Sequence, residues 1–272
     1  GLAALAAVAQ IGSRTPALLV IAPIAGAGLV YAALRPKLAV IIMEVIEVTN
    51  VSGVLSDRGA IPFFQASMLL GLLSIGFALR KPELRERLNA WTALAASLVV
   101  FYIATRVVAT LGTTDLGASL GSLYRTAVDC LFLLILLCLI QLAGQPWLVA
   151  AAFVLPLAGL SLLTVIDEFI FGGTQSFGGF STRTIASGEL VTTQRYGGPL
   201  PDSNFWGRHL VMGLPFAAAL LTRAQRSGRR LSIFLWWAVL LSVLAGVYLT
   251  QSRGTFVAAG LAVAVWFLLV ER

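Results

Sequence analysis

Residues 91–111 read WTALAASLVVFYIATRVVATL, a stretch with a single charge, Arg106. As a helix rising about 1.5 Å per residue, it is long enough to cross the roughly 30 Å hydrocarbon core of a bilayer. Runs of this kind recur at about 16–34, 38–55, 60–79, 90–111, 126–143, 146–166, 205–222, 231–250 and 255–270, with Glu44 and Glu47 interrupting the second. Backbone N–H and C=O groups inside lipid must be paired within the segment, and these lengths suit helices. The expectation is an all-α chain, a polytopic integral membrane helical bundle of about nine spans forming a single transmembrane domain over residues 1–272. Composition agrees: 58% of residues are hydrophobic and 11% charged, where soluble domains carry about 25% charged residues. Residues 1–11 are too short to span. They are expected to be the stub of a clipped helix, and the chain to be clipped at both ends.

The net charge of +7 would point a soluble protein towards nucleic acid. Here the basic residues sit in short turns between apolar runs, where they set orientation, and no nucleic-acid partner is expected. With basic turns on the cytoplasmic side, "RPK" (35–37), "RKPELRER" (80–87), "RAQRSGRR" (223–230) and the terminal "ER" all fall inside. "SDRG" (56–59), the 112–125 loop, residues 167–203 and "QSRG" all fall outside. Against that bias, Arg14, Arg58, Arg106, Arg125, Arg183, Arg195, Arg208 and Arg253 lie on or near the outer face, while Lys37 and Lys81 lie inside. A planar guanidinium matches two phosphate oxygens at once, so an outer face served only by arginine suits anion binding. Arginine outnumbers lysine 17 to 2 overall, so part of that monopoly is compositional.

Residues 167–203 are the one long polar segment, punctuated by glycine and proline, and are expected to be an ordered outer loop with short strands. The segment starts with the acidic pair Asp167 and Glu168 and ends "RYGGPLPDSNFWGRH", running into the next span. Asp202 or Ser203 fits a helix N-cap, and Asn204 fits one if the helix starts later. Arg195 can fold back over that helix start, and Arg208 lies one turn in. A helix N-terminus beside an arginine makes a phosphate site. His209, the only histidine, is read as a packed helix-face residue in preference to a general base, because nothing in the sequence orients its second nitrogen. In "LTQSRGTF" the hydroxyls of Thr250, Ser252 and Thr255 surround Arg253, and Gly254 lets backbone approach closely. A tight turn with a snorkelling arginine and a half-built anion site both fit that pattern. Cys130 and Cys138, eight apart on one apolar run, are about 12 Å apart along a helix axis, too far to bridge. Neither a CxxC nor a His/Cys cluster is present, so no metal or other cofactor is expected.

At these two places the chain resembles the lipid-linked glycan ligase and polymerase superfamily, that is, bacterial O-antigen ligases and Wzy-type polymerases. The resemblance rests on Arg195, Asp202 and Asn204 as R-x6-D-x-N, on Thr250, Ser252, Arg253 and Gly254 as T-x-S-R-G, and on the basic hairpin between them. It covers about residues 190–270; over 16–166 it is architectural. It implies a metal-independent, GT-C-like glycosyltransferase in the bacterial inner membrane with its active face towards the periplasm. Its donor would be an undecaprenyl-diphosphate-linked glycan, its acceptor a glycan or glycolipid such as lipid A core or a growing polysaccharide, with membrane lipids around it. Arg253 and Arg195 would hold the donor diphosphate as the catalytic pair, with Asp202, Asn204, Arg208, Thr250, Ser252 and Gly254 in substrate binding. The chain departs from that pattern in one respect: the family's histidine lies in a later outer loop, and His209 precedes the "SRG" turn. Either the chain is clipped and the general base is expected beyond Arg272, or this is a divergent member without that base. A transporter of a small anion or solute is the alternative, since intramembrane acids mark ion paths and Glu44 and Glu47 lie three apart on one helical face. Arg106 and Asp129 are also candidates for a structural ion pair near the outer ends of their helices.

Overall fold

A computed structural model describes residues 26–56, 62–187 and 192–270. Expectations for residues 1–11, most of the run 16–34, Arg14, Arg58 and the terminal "ER" fall outside the described residues. Residues 26–33 are helical. After them come α1 (Pro36–Val48), α2 (Val51–Ser56), α3 (Phe63–Leu79), the single turn α4 (Pro82–Arg85), α5 (Ala90–Leu111), α6 (Leu116–Ala143) and α7 (Pro146–Phe171). Strands β1 (Thr182–Ser187) and β2 (Thr192–Gly198) precede α8 (Ser203–Ser227), α9 (Arg230–Leu249) and α10 (Arg253–Val270). By length and composition α5, α6, α7 and α9 are each able to cross a membrane, and the protein is a helical, membrane-embedded one.

Three expected boundaries shift for local reasons. The run 38–55 is two helices, broken at Asn50, whose φ of 47° lies in the left-handed region that asparagine tolerates. The run expected from residue 126 begins at Leu116, because the Asp115 carboxylate accepts from Ala118 N (3.0 Å) and caps ten residues of polar and small composition into helix. α7 runs on to Phe171, carrying Asp167 and Glu168 inside its last turns, and stops at Gly172 (φ 61°).

The described chain falls into two compact units, one of residues up to 40 with 67–144, the other of 41–66 with 145–270. In the first, α5 and α6 form an antiparallel hairpin. At one end Gln141 Oε1 accepts from Thr92 Oγ1 (2.6 Å) and Asn89 N (3.2 Å), and Arg87 donates to the Leu142 carbonyl (3.0 Å). At the other, Arg106 donates to Ser122 Oγ (2.8 Å), not to Asp129. Trp91, Phe101, Val108 and Leu111 are 71, 68, 67 and 80% exposed, a surface that only lipid accommodates at low cost. Cys130 and Cys138 are both free thiols.

In the second unit α8 is the centre, touching α7, α9 and α10, whereas α9 and α10 barely meet. Trp206, Leu210, Leu214, Ala217 and Leu221 recur at helical spacing and are buried against Val154, Leu157, Val243 and Val247. Two close approaches hold the helices together: a Cβ on Gly246 would meet Ser161 Oγ, and one on Gly207 would meet Thr255 Oγ1. Small residues at helix crossings are how bundles in lipid gain dispersion contacts.

The polar segment is an antiparallel hairpin with Arg183 opposite Tyr196 and Thr184 opposite Arg195. It is pinned to the helix ends beneath it. Tyr196 is buried and donates to Glu168 Oε2 (2.7 Å). Asp167 Oδ1 accepts from Gln175 N (2.8 Å), Thr182 Oγ1 donates to the Gly198 and Leu200 carbonyls (2.9 and 2.6 Å), and Asn50 Nδ2 donates to the Pro199 carbonyl (3.0 Å). Gly198 (φ 59°) lies over the Trp206 indole, where a side chain would collide.

Candidate functional site

The starts of α8 and α10 lie side by side. Asp202 is the N-cap of α8, its Oδ1 accepting from Asn204 N at 2.6 Å. Ser252 stands immediately before α10, and its Oγ accepts from Thr255 N (3.4 Å) as an N-cap does. The turn into it places Gln251 at φ 49°, and Thr250 Oγ1 accepts from Ser252 N (3.3 Å) while donating to the Val247 carbonyl (2.7 Å). Ser252 Oγ then donates to Asn204 Oδ1 at 2.8 Å, joining residues 48 positions apart in sequence.

Asn204 with Ser252, and Gly207 with Thr255, set the register of two parallel helices, and a cleft of about 740 Å³ opens along it. Asp202, Asn204, Arg208, Ser252 and Gly254 line it, with Phe205, Val211, Met212 and Ala258 on its apolar side. Its donors are specific. With Asn204 Oδ1 engaged by Ser252, the Asn204 amide NH₂ is the group left for a ligand. The N–H groups of Arg253 and Gly254 belong to the first turn of α10, where a helix supplies no acceptor. Arg208 is exposed, its guanidinium over the Phe205 ring at 5.0 Å from the centroid. Two helix N-termini add partial positive charge. The Asp202 carboxylate opposes these at the mouth, partly offset by the N–H it accepts.

Of the eight residues singled out from sequence, five therefore share one cleft. The other three do not line it. Arg253 is exposed at the first position of α10, between the lining residues Ser252 and Gly254. Thr250 is fully buried and shapes the turn. Arg195 stands on β2, half-buried, its Nε shielded from solvent with no partner among the described residues. His209 does not line the cleft; its Nδ1 lies 2.9 Å from the Phe205 carbonyl, so the proton sits on Nδ1. Glu44 and Glu47 share a helix but not an environment: Glu44 is buried with Oε2 unpartnered among the described residues, and Glu47 is exposed.

Sequence reading missed Gly207 with Thr255 and the apolar wall of Phe205, Val211, Met212 and Ala258. A signal was present: N-x-x-G at 204–207 and S-x-x-T at 252–255 repeat one spacing, as parallel helices docked in register require. Nearby, Glu168, Phe169, Gln194, Tyr196, Tyr248, Leu249 and Gln251 line a second hollow of about 400 Å³. Burial, then the Glu168 hydrogen bond and the negative charges of Asp167 and Glu168, hold the Tyr196 hydroxyl well above the ordinary phenol range. Comparison with protein-family models, with curated proteins and with solved structures finds no match.

Proposed function

We propose that the protein is a membrane glycosyltransferase that moves a glycan from an undecaprenyl-diphosphate donor to a glycan or glycolipid acceptor, at the outer face of a bacterial inner membrane. The observation that carries this reading is the Ser252–Asn204 hydrogen bond, which joins Asp202 and Asn204 of one motif to Ser252 and Gly254 of the other at one cleft. In the proposed reaction the anomeric carbon–oxygen bond to the diphosphate breaks, a bond to the acceptor hydroxyl oxygen forms, and the hydroxyl proton passes to solvent or to the departing diphosphate. Charge accumulates on the departing diphosphate, and fixed donors aimed at developing charge are the largest lever on such a step. The Asn204 amide, the first-turn N–H groups of α10, Arg208 and the adjoining Arg253 are those donors, and the resemblance would add Arg195 from the hairpin. The apolar wall suits the first isoprene units of the carrier. About nine spans in a GT-C-like arrangement complete the proposed architecture.

The test is transfer from a purified undecaprenyl-diphosphate glycan by the full chain reconstituted in liposomes. Arg253→Ala is expected to lower the rate by about 10²–10³-fold, as loss of one charge-stabilising donor does elsewhere, with Arg230→Ala unchanged. Wild-type rates in Arg253→Ala, Arg208→Ala and Arg195→Ala alike would sink the reading.

One observation favours a transporter of a small anion or solute instead: the buried Glu44 carboxylate with an unpartnered oxygen. Under that reading Glu44→Gln abolishes solute uptake while the arginine variants do not.

A further inference from the structure

At the opposite end of α8 the charged side chains of α8 and α9 are all cationic. Within residues 145–270 the acids are Asp167, Glu168, Glu189 and Asp202, and none occurs from 203 to 270. Arg223, Arg226, Arg229 and Arg230 therefore stand at the α8–α9 turn with no acid on α8, α9 or α10 to pair them. From Asn204 to Arg223 is about 28 Å along the helix at 1.5 Å per residue, so these guanidinia lie about one bilayer-core thickness, roughly 30 Å, from the Ser252 cleft.

Two of them form a built site. Trp147, Ala219, Thr222, Arg223, Arg226 and Trp266 line a hollow of about 370 Å³. The Arg223 guanidinium lies over the Trp147 ring, 4.9 Å from its centroid, which fixes a flexible cation on a rigid platform. α9 and α10 both pack on α8 but barely on each other. Between the three helices lies a second hollow of about 170 Å³, which shares Trp266 with the first and is walled by apolar residues including Pro215, Leu240, Leu244, Val263 and Phe267. The Trp266 indole N–H is shielded from water with no acceptor among the described residues.

We propose that these two hollows bind one anionic phospholipid, its phosphate between Arg223 and Arg226 and an acyl chain along α8 between α9 and α10. Charge complementarity selects the occupant: two guanidinia with no acid on α8, α9 or α10 suit an anion, and an apolar slot that meets their site at Trp266 suits a chain attached to it. A lipid phosphate or ester oxygen also supplies the acceptor that the Trp266 indole lacks. A soluble anion would use the first part and leave the second empty. The inference does not depend on what the Ser252 cleft does.

Native mass spectrometry of the purified full chain, titrated with phosphatidylglycerol and phosphatidylcholine, tests it. Wild type is expected to hold one phosphatidylglycerol about tenfold tighter than phosphatidylcholine, the scale of one charge-assisted contact. Arg223→Ala with Arg226→Ala is expected to erase that preference, and Arg230→Ala, outside both hollows, to keep it. Trp266→Phe, which keeps a ring and removes the N–H, is expected to weaken phosphatidylglycerol by a few-fold; it carries the test if the double variant melts early in lipid-free detergent. Equal retention of the two lipids by wild type overturns the proposal. So does an undiminished preference in a folded double variant or in Trp266→Phe, or an equal loss in Arg230→Ala. Displacement of phosphatidylglycerol by equimolar inorganic phosphate would also overturn it, reducing the site to a free-anion site.

Discussion

The Ser252 hydroxyl does three things with one oxygen: it starts α10, takes up the Asn204 carbonyl and thereby turns the Asn204 NH₂ towards the cleft. Ser252→Ala and Asn204→Ala are expected to lower glycan transfer to a similar degree, and the double variant to lose little more, because both break one unit. A thermodynamic cycle on transfer rates checks this. Gly207→Ala is expected to destabilise by about 1–3 kcal/mol through overpacking against Thr255. Thr255→Ala in the same chain should recover most of that loss in a detergent melting series. At the hairpin, Tyr196 contributes through its neutral, donating form. Its folded value is raised, so this stability is fully present below the unfolded phenol value of about 10 and is lost as pH climbs towards the folded one. Hydrogen exchange over 192–198 should therefore be flat from pH 6 to 9 after correction for intrinsic rates, and an acid-side loss would contradict this. Tyr196→Phe should open the hairpin at every pH.

Among elements, the four long apolar helices α5, α6, α7 and α9 were legible because hydropathy at the scale of twenty residues is what lipid selects. Their ends were less so, because caps act through single side chains. Asp115 draws α6 ten residues back from the apolar run, and Asp115→Ala is expected to cost about 1 kcal/mol and to fray the helix start. Amide exchange at 116–119 reports it. The break at Asn50 was hidden by the two glutamates, which interrupt hydropathy without interrupting helix. The hairpin strands carry threonines but no sustained alternation of apolar residues. What fixes them is tertiary: Tyr196 on Glu168 and Gly198 on Trp206. No local pattern announces such contacts.

For the whole molecule, the least expected feature is that α8, which is not among the four most apolar long helices, is the most central. Its polar residues gather at its two ends, so averaging over its length dilutes a middle that is wholly uncharged from Leu210 to Thr222. That arrangement gives the second unit two differently charged ends: a cleft with Asp202 and Arg208 where two helices begin, and an arginine cluster with no acid on α8, α9 or α10 where α8 stops. The motif residues of the candidate site were readable as residue types at fixed spacing. That five of them line one cleft, with Arg253 and Thr250 adjoining it in sequence and Arg195 on β2, depends on the parallel docking of α8 and α10, which sequence does not encode locally.

The central claim is that this cleft holds a lipid-linked diphosphate, and equilibrium binding to the full chain in nanodiscs measures it directly. Undecaprenyl diphosphate should bind far tighter than undecaprenol, and Arg208→Ala with Arg253→Ala should remove about tenfold of that difference for each guanidinium. Equal binding of diphosphate and alcohol by the wild type, or undiminished diphosphate binding by the folded double variant, would contradict the claim.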